Sequence, residues 1–344
     1  MAYVPPHKRK VGLDKTTVTL DRSSNPHDDV FFCGAFSFIR CINLARKPKQ
    51  WDRFCHQGRL VGTQFLNKVV RFNAIDGEKV LQAQGATGSN LLSEEGGNKA
   101  DYVGLDLADV TSEWDTTQNA LWDRHVTPGM IRQMTPGEIG CALSHVSLWK
   151  ELAQNESKNN CKDSVENTDL QSPISMLIFE DDAVFLKQRS KRYAPKKNSA
   201  NNENESGDRF LKAFRIAYDT MPNDWDIFYL GLSDRGERKD VISSRTAGTS
   251  WKDDDKDSDL LVQIFRPTYG FHTHAYAIRQ SAASKLLQNL PVVGPIDVWL
   301  ADHQWFDLDV YCAMVANEGW KNQGSPLVGQ DRRKASTVIQ SGRF

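Results

Sequence analysis

The sequence predicts an α/β fold with a largely parallel sheet. Three observations carry this reading: short apolar runs of strand length, helical patterns set between them, and a strongly capped amphipathic helix near the middle of the chain.

Taken in order, residues 1–28 are polar, proline-containing and aperiodic, and are read as a mobile arm, with order beginning near Val30. FSFIRCINLA (36–45) has the look of a buried first strand, followed by a turn at Arg46-Lys47-Pro48 and a helix carrying Trp51 and Phe54. VVRFNAIDG (69–77) reads as a second strand closed by an Asp-Gly turn. Thr135-Pro136-Gly137-Glu138 is a helix start: a capping Thr, Pro at the first helical position and Glu three residues after the cap. Ile139, Leu143, Val146, Trp149 and Leu152 follow at helical spacing, so this helix packs inward. Residues 174–179 and 227–230 read as two further buried strands.

Three polar stretches, near 154–173, 187–208 and 236–260, interrupt the pattern and read as surface insertions, which leaves residues 29–344 as one domain. The middle insertion is basic, and is a solvated loop or a docking patch for an anionic partner. A chain of 344 residues has ample capacity for a core, and 39% hydrophobic with 25% charged residues is ordinary globular composition. A net charge of -1 argues against a nucleic-acid or membrane binder. The chain shows no secretory signal and no stretch long enough for a membrane span, so a cytoplasmic address is the expectation. Six cysteines without CxxC spacing suggest reduced, mostly buried thiols rather than disulfides or a zinc framework.

The stretch that points to chemistry is LIFEDDAVF (177–185), in which an apolar strand delivers Glu180, Asp181 and Asp182 together. Adjacent carboxylates repel and resist burial, so they need solvent, a cation or raised pKa values. In an open α/β sheet ligands bind at the carboxyl ends of the strands, and hard oxygens there suit magnesium or manganese bound together with a diphosphate. A solvated acidic turn is the plain alternative.

INLARKPKQWDRF, RFNAIDG, EWDTTQNALWD, TPGEIGCALSHVSLW, LIFEDDAVF, WDIFYLG, HAYAIRQSAASKLL, GPIDVWL and SPLVGQ occur in this order between Phe38 and Ser336. As an ordered set they resemble the family-25 glycosyltransferases, which include lipooligosaccharide and collagen galactosyltransferases. The resemblance implies a glycosyltransferase-A fold and an inverting transfer of a hexose, galactose first, from a UDP-sugar to a hydroxyl on a glycan or glycoprotein. It also implies a divalent cation, Mn2+ or Mg2+, and sets the secretory lumen of some relatives against the cytoplasmic expectation. Two rivals stand beside it: a non-catalytic nucleotide-sugar or glycan-binding protein on the same scaffold, and nucleotidyl transfer, which the lack of a Gly-rich phosphate cradle disfavours.

On this resemblance Glu180-Asp181-Asp182 takes the place of the family's Asp-x-Asp-like motif, with Asp182 as metal ligand and Glu180 reaching ribose or donor sugar as well as the metal. Asn43 and Asp76 follow the first two strands, where base and ribose would lie, though Asp76 before Gly77 also suits a turn. Ser144 and His145 belong to the signature helix; His145 is a donor contact or a hydrogen-bonded core histidine. An inverting transfer needs a base, and Asp297 is the first candidate and Asp234 the second, with a helix-capping role the alternative for Asp297. FHTHAYAI alternates as a strand, which would set His272, His274, Tyr276 and Ile278 on one face; His274 is the preferred additional metal ligand, against an edge-strand surface histidine. In the tail, Gln330 is a donor-binding candidate, and Arg332 and Arg333 are phosphate partners or solvated charge.

Overall fold

Buried apolar runs form the centre of one ten-stranded sheet in the computed structural model, which describes residues 18–20, 28–85, 106–125, 128–155, 173–186, 200–246, 260–302, 306–316 and 324–331. In chain order the strands are β1 (Val18–Leu20), β2 (Phe38–Asn43), β3 (Val69–Asn73), β4 (Glu113–Asp115), β5 (Ile131–Gln133), β6 (Ser175–Glu180) and β7 (Ala183–Phe185). They continue as β8 (Ile227–Asp234), β9 (Arg238–Thr246), β10 (Leu261–Pro267), β11 (Gly270–Arg279), β12 (Val310–Ala316), β13 (Gly324–Pro326) and β14 (Val328–Gln330). The α-helices are α1 (Asp28–Gly34), α2 (Pro48–Val61), α3 (Thr63–Lys68), α4 (Gly77–Gly85), α5 (Ala120–His125), α6 (Pro136–Gln154), α7 (Ala200–Thr220), α8 (Gln280–Leu287) and α9 (Ile296–Ala301).

The sheet runs β1-β9-β10-β12-β8-β11-β6-β2-β3, with β13 also paired to β12; β4–β5 and β7–β14 are separate ribbons. The class is mixed α/β, as expected. Parallel pairs (β2–β3, β2–β6, β8–β12, β1–β9) share the sheet with antiparallel ones (β6–β11, β8–β11, β10–β12, β9–β10, β12–β13). The antiparallel share is large because β9, β10 and β11 follow one another with, among the described residues, no helix between them to carry the chain back across a face. Following the pairings, β2, β3, β6, β8 and β12 all end at one edge of the sheet, and β11 begins there.

Helices cover both faces, and consecutive residues of one strand feed opposite cores. Leu177 and Phe179 join Phe32, Phe54, Phe65 and Phe214 beneath α1, α2, α3 and α7. Met176 and Ile178 join Leu143, Trp149, Leu286 and Trp299 beneath α6, α8 and α9. Helix α6 begins with the expected capping box: the Thr135 hydroxyl accepts from the Glu138 N–H, and the Glu138 carboxylate accepts from the Thr135 N–H at 2.8 Å. Arg132 clamps the same carboxylate with bonds of 2.8 and 2.6 Å, which satisfies a buried acid.

Three expectations change. The second strand ends at Asn73, and Asp76-Gly77 starts α4 instead of a strand-closing turn, because the Asp76 carboxylate accepts from the Glu78 N–H at 3.2 Å. Residues 238–246 of the third polar stretch are strand β9, and residues 200–208 of the second belong to α7. Strand β11 lies between β6 and β8 rather than at an edge, and its alternation breaks at bulges around Ala275. Most of the N-terminal arm, Cys161, Arg332, Arg333 and residues 156–172, 187–199 and 247–259 lie outside the described residues. Cys33, Cys41, Cys55, Cys141 and Cys312 are free thiols, three of them buried. Among the described residues no helix is long and apolar enough to cross a membrane.

Candidate active site

The edge where β2, β6 and β8 end gathers the acidic residues. Glu180 is the last residue of β6, and Asp181 and Asp182 form the turn into β7. Ala275 of β11 stands opposite Phe179, so the residues just before it flank Glu180, and the Thr273 hydroxyl donates to Glu180 Oε1 at 2.6 Å. His145 Nε2 lies 3.6 Å from the same oxygen, beyond hydrogen-bond reach. Burial works to raise the Glu180 pKa, but the neighbouring His145, Thr273 and His274 outweigh it and hold it down at about 2.

Asp182 is pushed the other way. Burial first, then the Glu180 carboxylate, raise it to about 7. Its Oδ2 accepts from Gln330 Nε2 at 2.8 Å, and its Oδ1 is buried with no hydrogen-bond partner. Gln330 arrives because the chain turns back through β13, on the end of β12, into β14, which pairs with β7 so that Gln330 faces Ala183. The Asp331 N–H then donates to the Asp182 carbonyl at 2.9 Å. Between the two, Asp181 is held at 2.5 Å by Asn43 Nδ2 from the end of β2; burial raises its pKa, and Lys47 and Arg71 oppose the rise.

The remaining candidates divide. Asp297, in the first turn of α9, is half-buried; burial raises its pKa, and its oxygens accept from the His272 N–H at 3.3 Å and the Val298 N–H at 3.0 Å. It is not the helix cap, a position taken by Pro295, and Glu180 lies close enough to raise its pKa further. His272 itself has φ +78, a conformation few L-residues adopt, held by that bond to Asp297 and by a 2.7 Å contact of its Nδ1 with Ser233 Oγ. Asp234 is taken up by Arg238, whose Nε donates to it at 2.6 Å between two largely buried side chains.

His274 is buried near Glu180, its Nε2 2.9 Å from the Val328 carbonyl, and a side chain at Gly231 would collide with both. The expected single face fails here. Ala275 and Ala277 join the core under α2 and α7, and Tyr276 and Ile278 the one under α6, whereas His274 meets Val328 on the Ala275 side, because of the bulges. Asp76 pairs with Arg46 at 2.6 Å beside α4. Ser144 is wholly buried, donating to the Gly140 carbonyl at 2.7 Å and accepting from the Ile75 N–H at 2.9 Å; it ties α6 to the loop before Asp76 beneath the site. His145 is wholly buried, with Nδ1 2.9 Å from Tyr276 Oη. Sequence reasoning missed Thr273, Arg71 and Cys141; pairing across strands brings in the first two with no local pattern to mark them, whereas the Cys141–His145 spacing of one helical turn is the signal that could have found the third.

Comparison with known proteins bears on what this edge does. The family described as "Glycosyltransferase family 25 (LPS biosynthesis protein)" matches residues 68–300. A procollagen lysyl hydroxylase and glycosyltransferase of Acanthamoeba polyphaga mimivirus is 44% identical over 62 residues, 18% of this chain and 6% of that protein. Procollagen galactosyltransferase 2 of Mus musculus is 26% identical over 193 residues, 54% of this chain and 23% of its own. An inactive glycosyltransferase 25 family member 3 of Homo sapiens is 25% identical over 178 residues, 49% of this chain and 20% of its own. The chain thus spans less than a quarter of the length of each of these relatives.

Proposed function

Because the chain belongs to glycosyltransferase family 25, we propose that it transfers a hexose, galactose first, from a UDP-sugar to a hydroxyl on a glycan or protein, with inversion. The observation that carries this reading is the acidic strand end. Asp182 keeps a buried oxygen without a partner beside a second carboxylate, a set that fits a hard divalent cation such as Mn2+. Asp182 and Glu180 would hold it, with His274 oriented nearby by Val328. When bound, the cation supplies charge neutralisation for the leaving diphosphate.

The chain's own groups do the rest. Arg71 and Lys47 set positive charge beside Asp181, on the side of Asn43, where a nucleotide diphosphate is favoured. Asp297 takes the proton of the acceptor hydroxyl: its raised pKa makes it a better base than a surface carboxylate, and the His272 N–H holds one of its oxygens. Asp234 is the weaker base, since Arg238 occupies it.

The test is release of UDP from a panel of UDP-sugars, with Mn2+ and with collagen-like peptides or glycans as acceptors. UDP-galactose is expected to turn over and Asp182→Ala to abolish it; no release from any UDP-hexose would overturn the reading. Because one relative is named inactive, the panel is run beside a UDP titration. Tight Mn2+-dependent UDP binding without turnover would assign a binding protein on this scaffold.

A further inference from the structure

One cluster at this edge has a different chemistry from the hard-oxygen site. Cys141 and His145 lie one turn apart on α6, and their ligand atoms and a Glu180 oxygen are all within 4.8 Å of one another. A thiol, an imidazole and a carboxylate are a zinc-type donor set, and three protein ligands leave one coordination position open. Thiolate is a soft ligand that manganese or magnesium has no use for.

An independent observation points the same way. His145 is 0% exposed, yet its Nε2 has no hydrogen-bond partner and faces Glu180. Its Nδ1 is 2.9 Å from Tyr276 Oη, and that oxygen accepts from Trp149 Nε1 at 3.0 Å. In the tautomer that donates Nδ1–H to Tyr276, Nε2 presents its lone pair to the cluster. Glu180 is steadied in the same manner by the Thr273 hydroxyl. Outer partners of this kind orient the ligands of metal sites.

We propose that Cys141, His145 and Glu180 form a second, thiophilic cation site of the Zn2+ class, separate in chemistry from the Asp182 site but sharing Glu180 with it. Binding displaces the Cys141 proton to water and forms a metal–thiolate bond. A cation seated there engages Glu180 and so withdraws that carboxylate from the sugar donor; this consequence, unlike the site itself, rests on the transferase reading above.

The test uses the whole, fully reduced protein and Co2+ alone as probe, so its outcome is separate from that of any turnover assay. A thiolate-to-cobalt charge-transfer band is expected at about one equivalent, to disappear in Cys141→Ser with at least about a tenfold loss of Co2+ affinity, and to persist in Asp182→Asn. A wild-type protein with no such band, or a band surviving in Cys141→Ser, would overturn the site. A second measurement needs no variant: Zn2+ should protect Cys141 from alkylation while leaving Cys55, the other half-buried thiol among the described residues, as reactive as before. Equal alkylation of Cys141 with and without Zn2+ would also overturn it.

Discussion

At Asp182, burial and Glu180 favour the protonated form, and the pKa of about 7 lies well above the ordinary value near 4. The sign of the consequence follows. The folded state holds the proton more tightly than the unfolded chain, so this residue costs stability increasingly as pH rises from about 4 to about 7. Glu180, held at about 2, contributes in the opposite sense, but its share is lost only below its ordinary range and stays constant over pH 5 to 8. Cation-free protein should therefore melt at a lower temperature at pH 8 than at pH 5, and Mn2+ should restore the loss because it binds the deprotonated form. Thermal melts of wild type and Asp182→Asn check this: the variant should show a flatter pH profile and little response to Mn2+. Asp297 gives a second residue-level prediction. Asp297→Asn should lower turnover by about 10²–10⁴-fold with UDP affinity retained. Asp234→Ala should instead cost about 3 kcal/mol of stability, from an Arg238 left buried without its partner. Kinetics and denaturant midpoints on the two variants separate the roles. Glu180 and Asp182 could be picked out in the sequence because acids at the end of an apolar run are conspicuous, and Asp297 because the Gly294-Pro295 turn sets it at a helix start. Thr273 and Arg71 could not, because each earns its position from a partner far away in the chain; Cys141 stands four residues before His145, but one helical turn of Cys and His says nothing until Glu180 is brought beside it.

Among the elements, α6 is the one the sequence describes best and the one the site leans on most. Its start, capping box and inward face could all be read locally, since caps are chemistry between residues three apart. Its docking could not. Gly140 sits where a Cβ would lie 2.4 Å from the Ile75 carbonyl oxygen and 2.7 Å from the Gly77 nitrogen, and a Cβ on Gly77 would lie 1.7 Å from the Pro136 carbonyl oxygen. The two helix starts thus meet backbone to backbone, and Ser144 fastens the contact through the Ile75 N–H. Gly140→Ala should destabilise the protein by about 1–3 kcal/mol, the range for overpacking, because the obstructing atoms are main chain and have no rotamer to move to. The denaturant midpoint measures this. A wild-type value would mean that the loop carrying Asp76 can shift away at no cost. Strand β11 shows the opposite limit of local reading: HAYAI alternates on paper, but bulges and the positive φ at His272 turn His274 off the Tyr276 face. The chain's pattern carries no mark of a bulge that only the neighbouring strands impose.

At the scale of the molecule, the α/β class was legible because buried strands and amphipathic helices differ in length and period. Strand β9, between β1 and β10, was not, since RKDVISSRT has none of the apolar run that marks the central strands and reads as polar chain. The same sheet decides how the protein comes apart. Met176, Leu177, Ile178 and Phe179 alternate between the two cores along one strand, so neither core can open without exposing the back of the strand that lines the other. This argues for a single cooperative unit, and we predict that damage on one face is felt on both. Phe214 is wholly buried among Phe32, Phe36 and Phe210, on the face away from α6. Its replacement by Ala should cost about 3–5 kcal/mol. Tryptophans lie in both cores, Trp225 in the one that holds Phe214 and Trp149 stacked on Trp299 in the opposite one, so their emission reports both faces. In denaturant titrations of Phe214→Ala, tryptophan emission and far-ultraviolet circular dichroism should move to the same lower midpoint. An emission transition that splits in two, one part staying at the wild-type midpoint, would instead mean that the two faces unfold independently and that the sheet does not couple them.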